Sequence, residues 1–343
     1  MKKSLIALAV LAASGAAMAQ SSVTLYGWAD VYFGSVKTEA AGASLTQTVL
    51  NSGGVNGSRW GLKGSEDLGG GLSANFDFQA GFNMDNGAGS STTATAFSRQ
   101  SWVGLSGGFG AVRLGRTTTA YDDVSGASNA ALDSVLAPMG SVFKSTGYTG
   151  RPNNTIYYQA PSMSGFSGAL SYSLGEDKTA AADASSTTSL NLTYAGGPLG
   201  VQLGYQTEKP ANPVVVGFAE TKKFTRLGAT YAFGPATLKA TYGRAQNIGN
   251  VSGADATDWQ LGVDYNVSPA FMVSGSVATS SDNDTQKAIS ADESRRGYGL
   301  AVKYTLSKRT FLYGGYESDT TDKTGATADS KHSVFALGLN HKF

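Results

Sequence analysis

The chain has 343 residues, contains no cysteine, and carries a formal net charge of +1 at neutral pH. This near-neutral charge argues against a nucleic-acid-binding protein, which would be strongly basic, and the lack of cysteine excludes a disulfide framework. Glycine supplies 45 residues and proline only 8, and glycine usage about twice the ordinary level favours many tight turns and closely packed strands.

The first nineteen residues have the layout of a secretory signal peptide. A short basic start at residues 1–3 is followed by a small, apolar stretch at residues 4–17, and residues 17–19 supply the small-x-small pattern of a cleavage site. We predict cleavage after Ala19. The mature chain would then be residues 20–343, which is 343 − 19 = 324 residues forming one exported domain with a formal charge of −1.

From residue 22 onward, segments in which apolar and polar residues alternate strictly recur along the chain. No run of eighteen apolar residues follows residue 19, so helical membrane spans are excluded. Alternation with period two predicts strands whose two faces meet different surroundings, either in a soluble β-sandwich or in a membrane barrel. The first strand shows the pattern: Val23, Leu25, Ala29, Val31 and Phe33 share one face, and Thr24, Tyr26, Trp28, Asp30 and Tyr32 share the other.

Three features favour the barrel. Aromatic residues end many of the apolar faces, charges lie in mid-strand on the opposite faces, and short turns alternate with long polar connections. We therefore predict an all-β, transmembrane antiparallel β-barrel in the outer membrane. Its sixteen strands are predicted near residues 22–34, 58–67, 72–82, 96–106, 111–120, 155–160, 168–175, 187–195, 200–207, 222–233, 236–245, 257–266, 270–279, 295–306, 310–317 and 332–343. The long connections are predicted at residues 35–58, 83–95, 175–186, 206–222, 246–258, 280–294 and 317–331.

The longest stretch without alternation runs from Tyr121 to Asn154. Within it, residues 128–136 could form a short helix. A connection of this length in a compact domain usually has a function. We predict that it folds into the lumen and narrows the channel, the alternative being a long external loop.

The chain ends on an alternating strand whose last residue is phenylalanine. In a closed barrel the last strand pairs with the first, which leaves no free edge. The terminal ring can then lie at the membrane interface with its carboxylate in water. The large, mostly apolar set of this strand is Phe335, Leu337, Leu339, His341 and Phe343.

Two internal blocks, residues 58–72 (SRWGLKGSEDLGGGL) and residues 98–116 (SRQSWVGLSGGFGAVRLGR), resemble sequences typical of the Gram-negative general porins, in particular their beta-proteobacterial branch. Residues 22–27 and 341–343 resemble the two ends of that family. The resemblance spans the mature chain and implies a trimeric, sixteen-stranded barrel with its third external loop folded inward. It implies passive diffusion of small hydrophilic solutes and ions, contact with outer-membrane lipid and lipopolysaccharide, and recognition of the strand ending in Phe343 by the outer-membrane assembly machinery.

Strand parity places Arg59, Lys63 and Arg113 on the inward face. Arg99 is ambiguous: with Trp102 outward it points inward, but Val103 and Leu105 then also point inward, so a bulge or a subunit contact stays open.

In the porin family, arginines on the wall face acids on the inserted loop. By resemblance, Arg59, Arg99 and Arg151 match the arginines, and Asp122 and Asp123 match the acids. Asp133 is a weaker candidate. A basic excess at a neck predicts weak anion preference, and the transverse field would orient dipolar solutes. The loop departs from the family at residues 137–140, where an acidic and aromatic pair is expected after the proline.

The sequence offers few residues for catalysis or metal binding. Residues 104–108 match G-x-S-x-G, but a strand rather than the required helix follows. With only His332 and His341 and no cysteine, we expect no enzyme, no cofactor and no metal site. Residues 282–286 resemble half a calcium loop but lack its glycine, so we expect a solvated loop.

A substrate-specific channel or a barrel adhesin remains the alternative function. An aromatic track in the lumen would favour a specific sugar channel, and Tyr26, Trp28 and Tyr32 could begin such a track. The same residues could equally fill the barrel wall near a rim.

Overall fold

The computed structural model describes residues 22–90, 95–211, 219–325 and 328–343. The predicted signal peptide, and parts of the predicted connections 83–95, 206–222 and 317–331, lie outside the described residues. Within them, seventeen strands form one antiparallel sheet. The strands are β1 (Ser22–Ala40), β2 (Ala43–Ser52), β3 (Arg59–Gly69), β4 (Leu72–Gly81), β5 (Gln100–Gly107), β6 (Gly110–Arg116), β7 (Thr155–Gln159), β8 (Phe166–Leu174), β9 (Ser186–Gly196), β10 (Leu199–Lys209), β11 (Lys222–Phe233), β12 (Ala236–Gln246), β13 (Ala256–Asn266), β14 (Phe271–Asp282), β15 (Asp292–Thr305), β16 (Thr310–Lys323) and β17 (Ser330–Lys342).

Helical structure in the described ranges is short. The helices are α1 (Ala120–Asp123), α2 (Met139–Val142) and α3 (Asp284–Ser290), with 3-10 turns at Ala131–Asp133, Lys144–Thr146 and Ile248–Asn250. No helix among the described residues is long and apolar enough to cross a membrane.

The sheet closes on itself through its first strand. On one side β1 pairs with β17, from Trp28 opposite Lys342 onward. On the other side the first half of β1 pairs with β3 and the second half pairs with β2. Because β2 and β3 together flank β1 as one interrupted span, the seventeen strands make sixteen spans. The predicted closed antiparallel barrel of sixteen strands is confirmed.

A buried carboxylate lies where β2 gives way to β3. Asp30 is fully buried, and its Oδ1 accepts hydrogen bonds from the backbone N–H of Gly54 (2.9 Å) and the hydroxyl of Tyr313 (2.6 Å). Its Oδ2 accepts from the backbone N–H of Asn56 (2.9 Å) and from Nδ2 of Asn340 (2.7 Å). These donors offset the cost of burying the charge. Asp30 thus ties β1, β16, β17 and the interrupted span together at the seam.

The two faces of each strand differ as a membrane barrel requires. In β13, Trp259 and Leu261 are exposed on the outer face, whereas Asp258 and Gln260 are buried on the inner face. A soluble sandwich buries its apolar face against a second sheet. Here the apolar face is the exposed one, so the sandwich alternative is wrong.

Several strands run further toward the long-connection side than predicted. The connection predicted at residues 35–58 is largely a hairpin of β1 and β2. At its turn Ala41 and Gly42 have φ values of 50° and 80°, as a type I′ turn requires. Similarly β16 continues to Lys323 rather than ending at residue 317.

Two further local predictions are wrong. Residues 128–136 form no α-helix, because Ala131, Leu132 and Asp133 all have positive φ (50°, 68° and 49°), which interrupts a right-handed helix. Residues 282–286, expected as a solvated loop, instead include the capped start of a short helix. Asn283 caps α3, and the Asp282 carboxylate lies 3.1 Å from the Arg295 guanidinium.

Candidate functional site

The segment between β6 and β7, residues 117–154, lies against the interior face of the barrel. The Tyr121 N–H donates to Ser189 Oγ on β9 (2.7 Å), the Ala131 N–H to Ser274 Oγ on β14 (2.7 Å), and the Val135 N–H to the Gly54 carbonyl beside β1 (2.8 Å). Most of the wall from β8 to β16 thus serves as its support, and we call residues 117–154 the inserted segment.

The backbone of one residue of the inserted segment, Ser145, is held between opposite charges. The Ser145 carbonyl accepts from Nη2 of Arg226 on β11 (3.3 Å), and the Ser145 N–H donates to Oδ2 of Asp258 on β13 (2.8 Å). Arg226 also donates through Nη1 to the Ser125 carbonyl (2.9 Å). Gly243, on the strand between them, leaves the space, because a Cβ there would lie 2.2 Å from Ser145 Oγ. We call Arg226, Asp258 and Ser145 the clamp.

The clamp was not predicted from the sequence. Arg226 and Asp258 are buried charges on the inward faces of strands separated by β12, and inward parity is the only sequence signal that marks them. Their convergence on the backbone of Ser145 depends on the register of three strands and on the path of the inserted segment.

The predicted acids lie at the start of the inserted segment. Thr119 caps α1 by accepting from the Asp122 N–H (3.2 Å). Asp122 accepts from the Tyr148 hydroxyl (2.7 Å), and Asp123 from the Tyr157 hydroxyl (2.5 Å). Burial raises the pKa of the Asp123 carboxyl, although its hydroxyl donors oppose the shift.

Asp133 lies apart from these two acids along the segment. Its Oδ1 accepts from Nδ2 of Asn129 (2.6 Å), so the described contacts join it to its own turn rather than to the predicted arginines.

Three predicted arginines gather opposite Asp122. Arg151 approaches it with Nη2 3.4 Å from Oδ2. Arg59 donates from Nη1 to the Gly57 carbonyl (2.8 Å), and the Arg99 guanidinium lies beside Gly57 as well. Burial first, and then the charges of Arg151 and Arg59, lower the pKa of Arg99, which precedes β5, to about 10. The Arg99 guanidinium therefore stays charged at neutral pH.

Arg116 extends the same basic group and was not predicted as a site residue. Its Nε donates to the Ser98 carbonyl (2.8 Å) and its Nη1 to Oδ1 of Asn153 (2.7 Å). We call Arg59, Arg99, Arg116 and Arg151, with Asp122 and Asp123, the neck group. Strand parity gave no signal for Arg116, because it places this residue on the same face of β6 as the exposed Leu114.

Lys63 and Arg113 lie nearer the short-turn end of the barrel. Lys63 is four residues along β3 from Arg59, roughly 13 Å at 3.3 Å per residue. Its Nζ lies 5.1 Å from the Tyr26 ring, and the Arg113 guanidinium lies 5.0 Å from the Trp102 ring. Both cations thus face the interior as predicted. Lys63 lies apart from the three arginines, whereas the Arg113 guanidinium also lies 4.9 Å from the ring of Tyr157, the residue that donates to Asp123.

The contact between Arg113 and Trp102 corrects the parity of β5. Trp102 points inward, whereas Val103 and Leu105 are exposed on the outer face. Arg99 reaches the interior because it lies in a bend before β5, where Nε donates to Oε1 of Gln79 (2.8 Å). The assumption that Trp102 points outward was wrong, and neither a bulge within β5 nor a subunit contact is needed.

The inward aromatic residues of β1 do not form an open track. The Arg59 guanidinium covers the Trp28 ring at 4.0 Å, and Lys342 lies 5.1 Å from the same ring. Tyr32 is buried and accepts from Nδ2 of Asn51 (3.1 Å). Tyr26 donates to Asp77 (2.5 Å). Their faces and hydroxyls are engaged with the wall, which favours a structural role over sugar stacking.

The last strand is part of the seam. Phe343 exchanges backbone hydrogen bonds of 3.0 Å with Gly27 in both directions. Four members of the predicted terminal set are exposed on the outer face: Phe335, Leu337, Leu339 and Phe343. The fifth, His341, has Nδ1 2.8 Å from the Thr310 hydroxyl.

Comparison of the sequence with known families and proteins gives matches over most of the chain. A sequence model of the family described as Gram-negative porin matches residues 5–324. Outer membrane porin protein 32 of Delftia acidovorans is 35% identical over 372 aligned residues, which cover all of both chains. An outer membrane porin protein of Bordetella pertussis is 31% identical, also over the whole of both chains.

Solved structures share the fold. An anion-selective porin from Comamonas acidovorans superposes with a TM-score of 0.77 at 28% identity, covering 94% of this chain and 100% of the other. A trimer form of OmpT from Vibrio cholerae superposes with a TM-score of 0.64 at 15% identity, covering 94% of this chain and 99% of the other. At that identity the second match supports the fold alone.

Proposed function

Because the chain belongs to the Gram-negative porin family, we propose that the neck group gives its channel a weak preference for anions. As an outer-membrane porin, the protein forms a water-filled channel for passive diffusion of small hydrophilic solutes and ions. The selectivity is the further step. The observation that carries it is the gathering of Arg59, Arg99 and Arg151 opposite the Asp122 carboxylate.

Local charge decides selectivity in such a channel. The Debye length is about 10 Å at 0.1 M salt, so distant charges are screened and only groups at the narrow part act on a passing ion. The neck group contains four arginines and two carboxylates, one of which, Asp123, is buried against Tyr157. The net charge of the neck group is therefore positive. The anion selectivity of the Comamonas acidovorans porin supports the same sign here.

The inserted segment supplies the other side of the neck. Its hydrogen bonds to the interior of β9, β13 and β14 keep it within the lumen, where it narrows the channel. Arg59 and Arg99 on the wall, with Arg151 at the end of the segment, face the acids at its start. This separation of charge creates a transverse field, which orients dipolar solutes and disfavours large apolar ones.

We infer that residues 1–19 direct export and are removed, and that residues 20–343 form the barrel domain. The strand ending in Phe343 acts as the signal for the outer-membrane assembly machinery. Its place in the seam supports this role, since the barrel cannot close before the strand is in position.

The part of the barrel wall with the shortest strands is the proposed contact surface between three copies of the chain in a trimer. Strands β5, β6 and β7 have 8, 7 and 5 residues, fewer than the roughly 9–11 residues that span a bilayer as a strand. A neighbouring outer-face cluster of Trp60, Phe78 and Phe97 offers apolar packing. Membership of the porin family, for which the sequence resemblance implies a trimer, supports this arrangement.

The remaining outer face suits outer-membrane lipid and lipopolysaccharide. Exposed aromatic residues, among them Tyr231, Phe233, Tyr265 and Tyr304, end the apolar stripes near the short turns, as in an aromatic girdle. We propose no enzymatic activity, because the family and the similar proteins named above are channels.

Swelling of proteoliposomes tests the channel and its preference together. Vesicles containing the refolded protein should swell with small neutral and anionic solutes, more slowly with a cationic solute of the same size, and not with a polymer too large for the neck. Folded protein that admits none of these solutes would contradict the open channel. Faster entry of the cation would contradict the selectivity alone.

A further inference from the structure

Three potential metal ligands converge on the interior face of β16 and β17. The register places Asp319 directly opposite His332, and Glu317 lies two residues along β16 on the same face. His332 Nδ1 lies 3.2 Å from Asp319 Oδ2 and 3.7 Å from Glu317 Oε2. One ligand atom from each residue falls within 4.8 Å of the others. These strands are separate from β3, β5 and β6, which carry the neck group.

The Glu317 carboxylate receives less compensation than other buried carboxylates, because the one basic group paired with it among the described residues is the His332 imidazole, which it shares with Asp319. Its side chain is only 2% exposed, and Oε1 accepts from the Ser141 hydroxyl (3.0 Å). Among the ion pairs of the described residues, no lysine or arginine reaches Glu317 or Asp319. The basic group nearest to Glu317 Oε2 is the imidazole of His332, at 3.7 Å, beyond hydrogen-bond distance.

Other buried carboxylates of the interior wall show the contrast. Glu208 is paired with Lys222 at 2.6 Å, and Asp282 with Arg295 at 3.1 Å. Asp30 has several N–H and O–H donors instead. Burying a carboxylate without such partners is costly, so an oxygen of Glu317 that points toward two other ligand atoms marks a place for a cation.

We propose that Glu317, Asp319 and His332 bind one divalent transition-metal ion of the Zn²⁺ type. Bonds of about 2.0–2.2 Å at tetrahedral angles place ligand atoms about 3.3–3.6 Å apart, close to the observed 3.2 and 3.7 Å. The imidazole favours Zn²⁺, Ni²⁺ or Cu²⁺ over Ca²⁺ and Mg²⁺, which prefer oxygen. The His332 side chain is 39% exposed, so water could serve as the fourth ligand.

The ion would also connect the wall to the inserted segment. The Ser141 hydroxyl that donates to Glu317 belongs to α2, so a metal bound by Glu317 fixes the carboxylate against which α2 rests. Occupancy of this site does not depend on the sign of the channel's ion selectivity, and it can be measured without any current.

Calorimetric titration of Zn²⁺ into refolded, detergent-solubilised protein without a histidine tag tests the proposal. After treatment with a chelator, the wild-type protein should bind one ion per chain, and Ca²⁺ should bind at least about tenfold more weakly. His332→Ala should weaken Zn²⁺ binding by about tenfold or more, because loss even of an outer-shell partner costs that much. His341→Ala removes the other histidine of the chain and is the matched control, expected to bind as the wild type does.

X-ray absorption of the Zn²⁺-loaded wild type gives a readout that needs no variant. The spectrum should show one imidazole among nitrogen and oxygen ligands. Absence of binding at millimolar Zn²⁺, unchanged binding by His332→Ala, or a spectrum without imidazole would each overturn the proposal.

Discussion

Gly27 and Phe343 join the first strand to the last residue of the chain. Each donates its N–H to the carbonyl of the other at 3.0 Å. The Phe343 ring occupies the space beside Gly27, where a Cβ would lie 2.3 Å from a ring carbon. The Phe343 ring therefore packs in the space that the missing side chain of Gly27 leaves. This contact completes the seam.

Gly27→Val should impair barrel closure, because its side chain meets both the Phe343 ring and the backbone carbonyl of Arg59 on β3. Phe343→Ala should impair closure less, since the ring is 41% exposed and the backbone bonds can persist. The measurement is the fraction of refolded protein that stays compact on a gel without heating. Phe233→Ala, which removes an exposed ring away from the seam, is the control. Equal yields for Gly27→Val and the control would show that the contact is dispensable.

Arg226→Met should loosen the inserted segment. The substitution removes hydrogen bonds to the Ser125 and Ser145 carbonyls, and bonds to charged groups contribute about 1.5–3 kcal/mol each. We expect a lower thermal unfolding temperature and larger fluctuations of single-channel current. Arg244→Met, on the outer face of the adjacent strand, should change neither property. Steady current through Arg226→Met channels would argue against the clamp.

Anion preference should increase as the pH falls from neutral. Burial raises the pKa of Asp123, so this carboxyl takes up its proton at a higher pH than an exposed aspartate and removes a negative charge from the neck group. Because the raised pKa favours the protonated form in the folded protein, this protonation does not destabilise the fold. The reversal potential under a salt gradient, measured from pH 7.5 downward, follows the change.

Asp123→Asn should reproduce the low-pH value at neutral pH and flatten this part of the profile. Asp284→Asn, at a fully exposed position in α3, should leave the profile as in the wild type. A profile of Asp123→Asn identical to that of the wild type would assign the titration to another group.

The strands and the closure follow from local sequence. Alternation with period two predicts a strand without knowing which strands pair with it. In β13, for example, Trp259 and Leu261 alone predict which face points outward. The hairpin of β1 and β2 was missed because residues 43–48 carry few apolar side chains and are exposed on both faces. The helix predicted at residues 128–136 failed because contacts of the segment with the wall, such as Ala131 with Ser274, impose positive φ values that propensity does not reveal.

The site was predicted in part. Arg59 and Arg151 could be assigned because they fall in recognisable positions, and Arg99 was assigned by resemblance although parity alone misplaced Trp102. No single segment of the sequence shows which side chains of different strands come together. Arg226 with Asp258, and Glu317 with His332, meet only because of a strand register that the sequence does not specify.

The measurement that tests the central claim most directly is the reversal potential of single channels in a planar bilayer under a salt gradient. The wild type should prefer anions, and the variant carrying Arg59→Gln, Arg99→Gln and Arg151→Gln should move toward cations. Arg296→Gln, which removes an arginine 68% exposed on the outer face, should behave as the wild type does. A wild-type channel that prefers cations, or a triple variant with an unchanged reversal potential, would contradict the assignment of selectivity to the neck group.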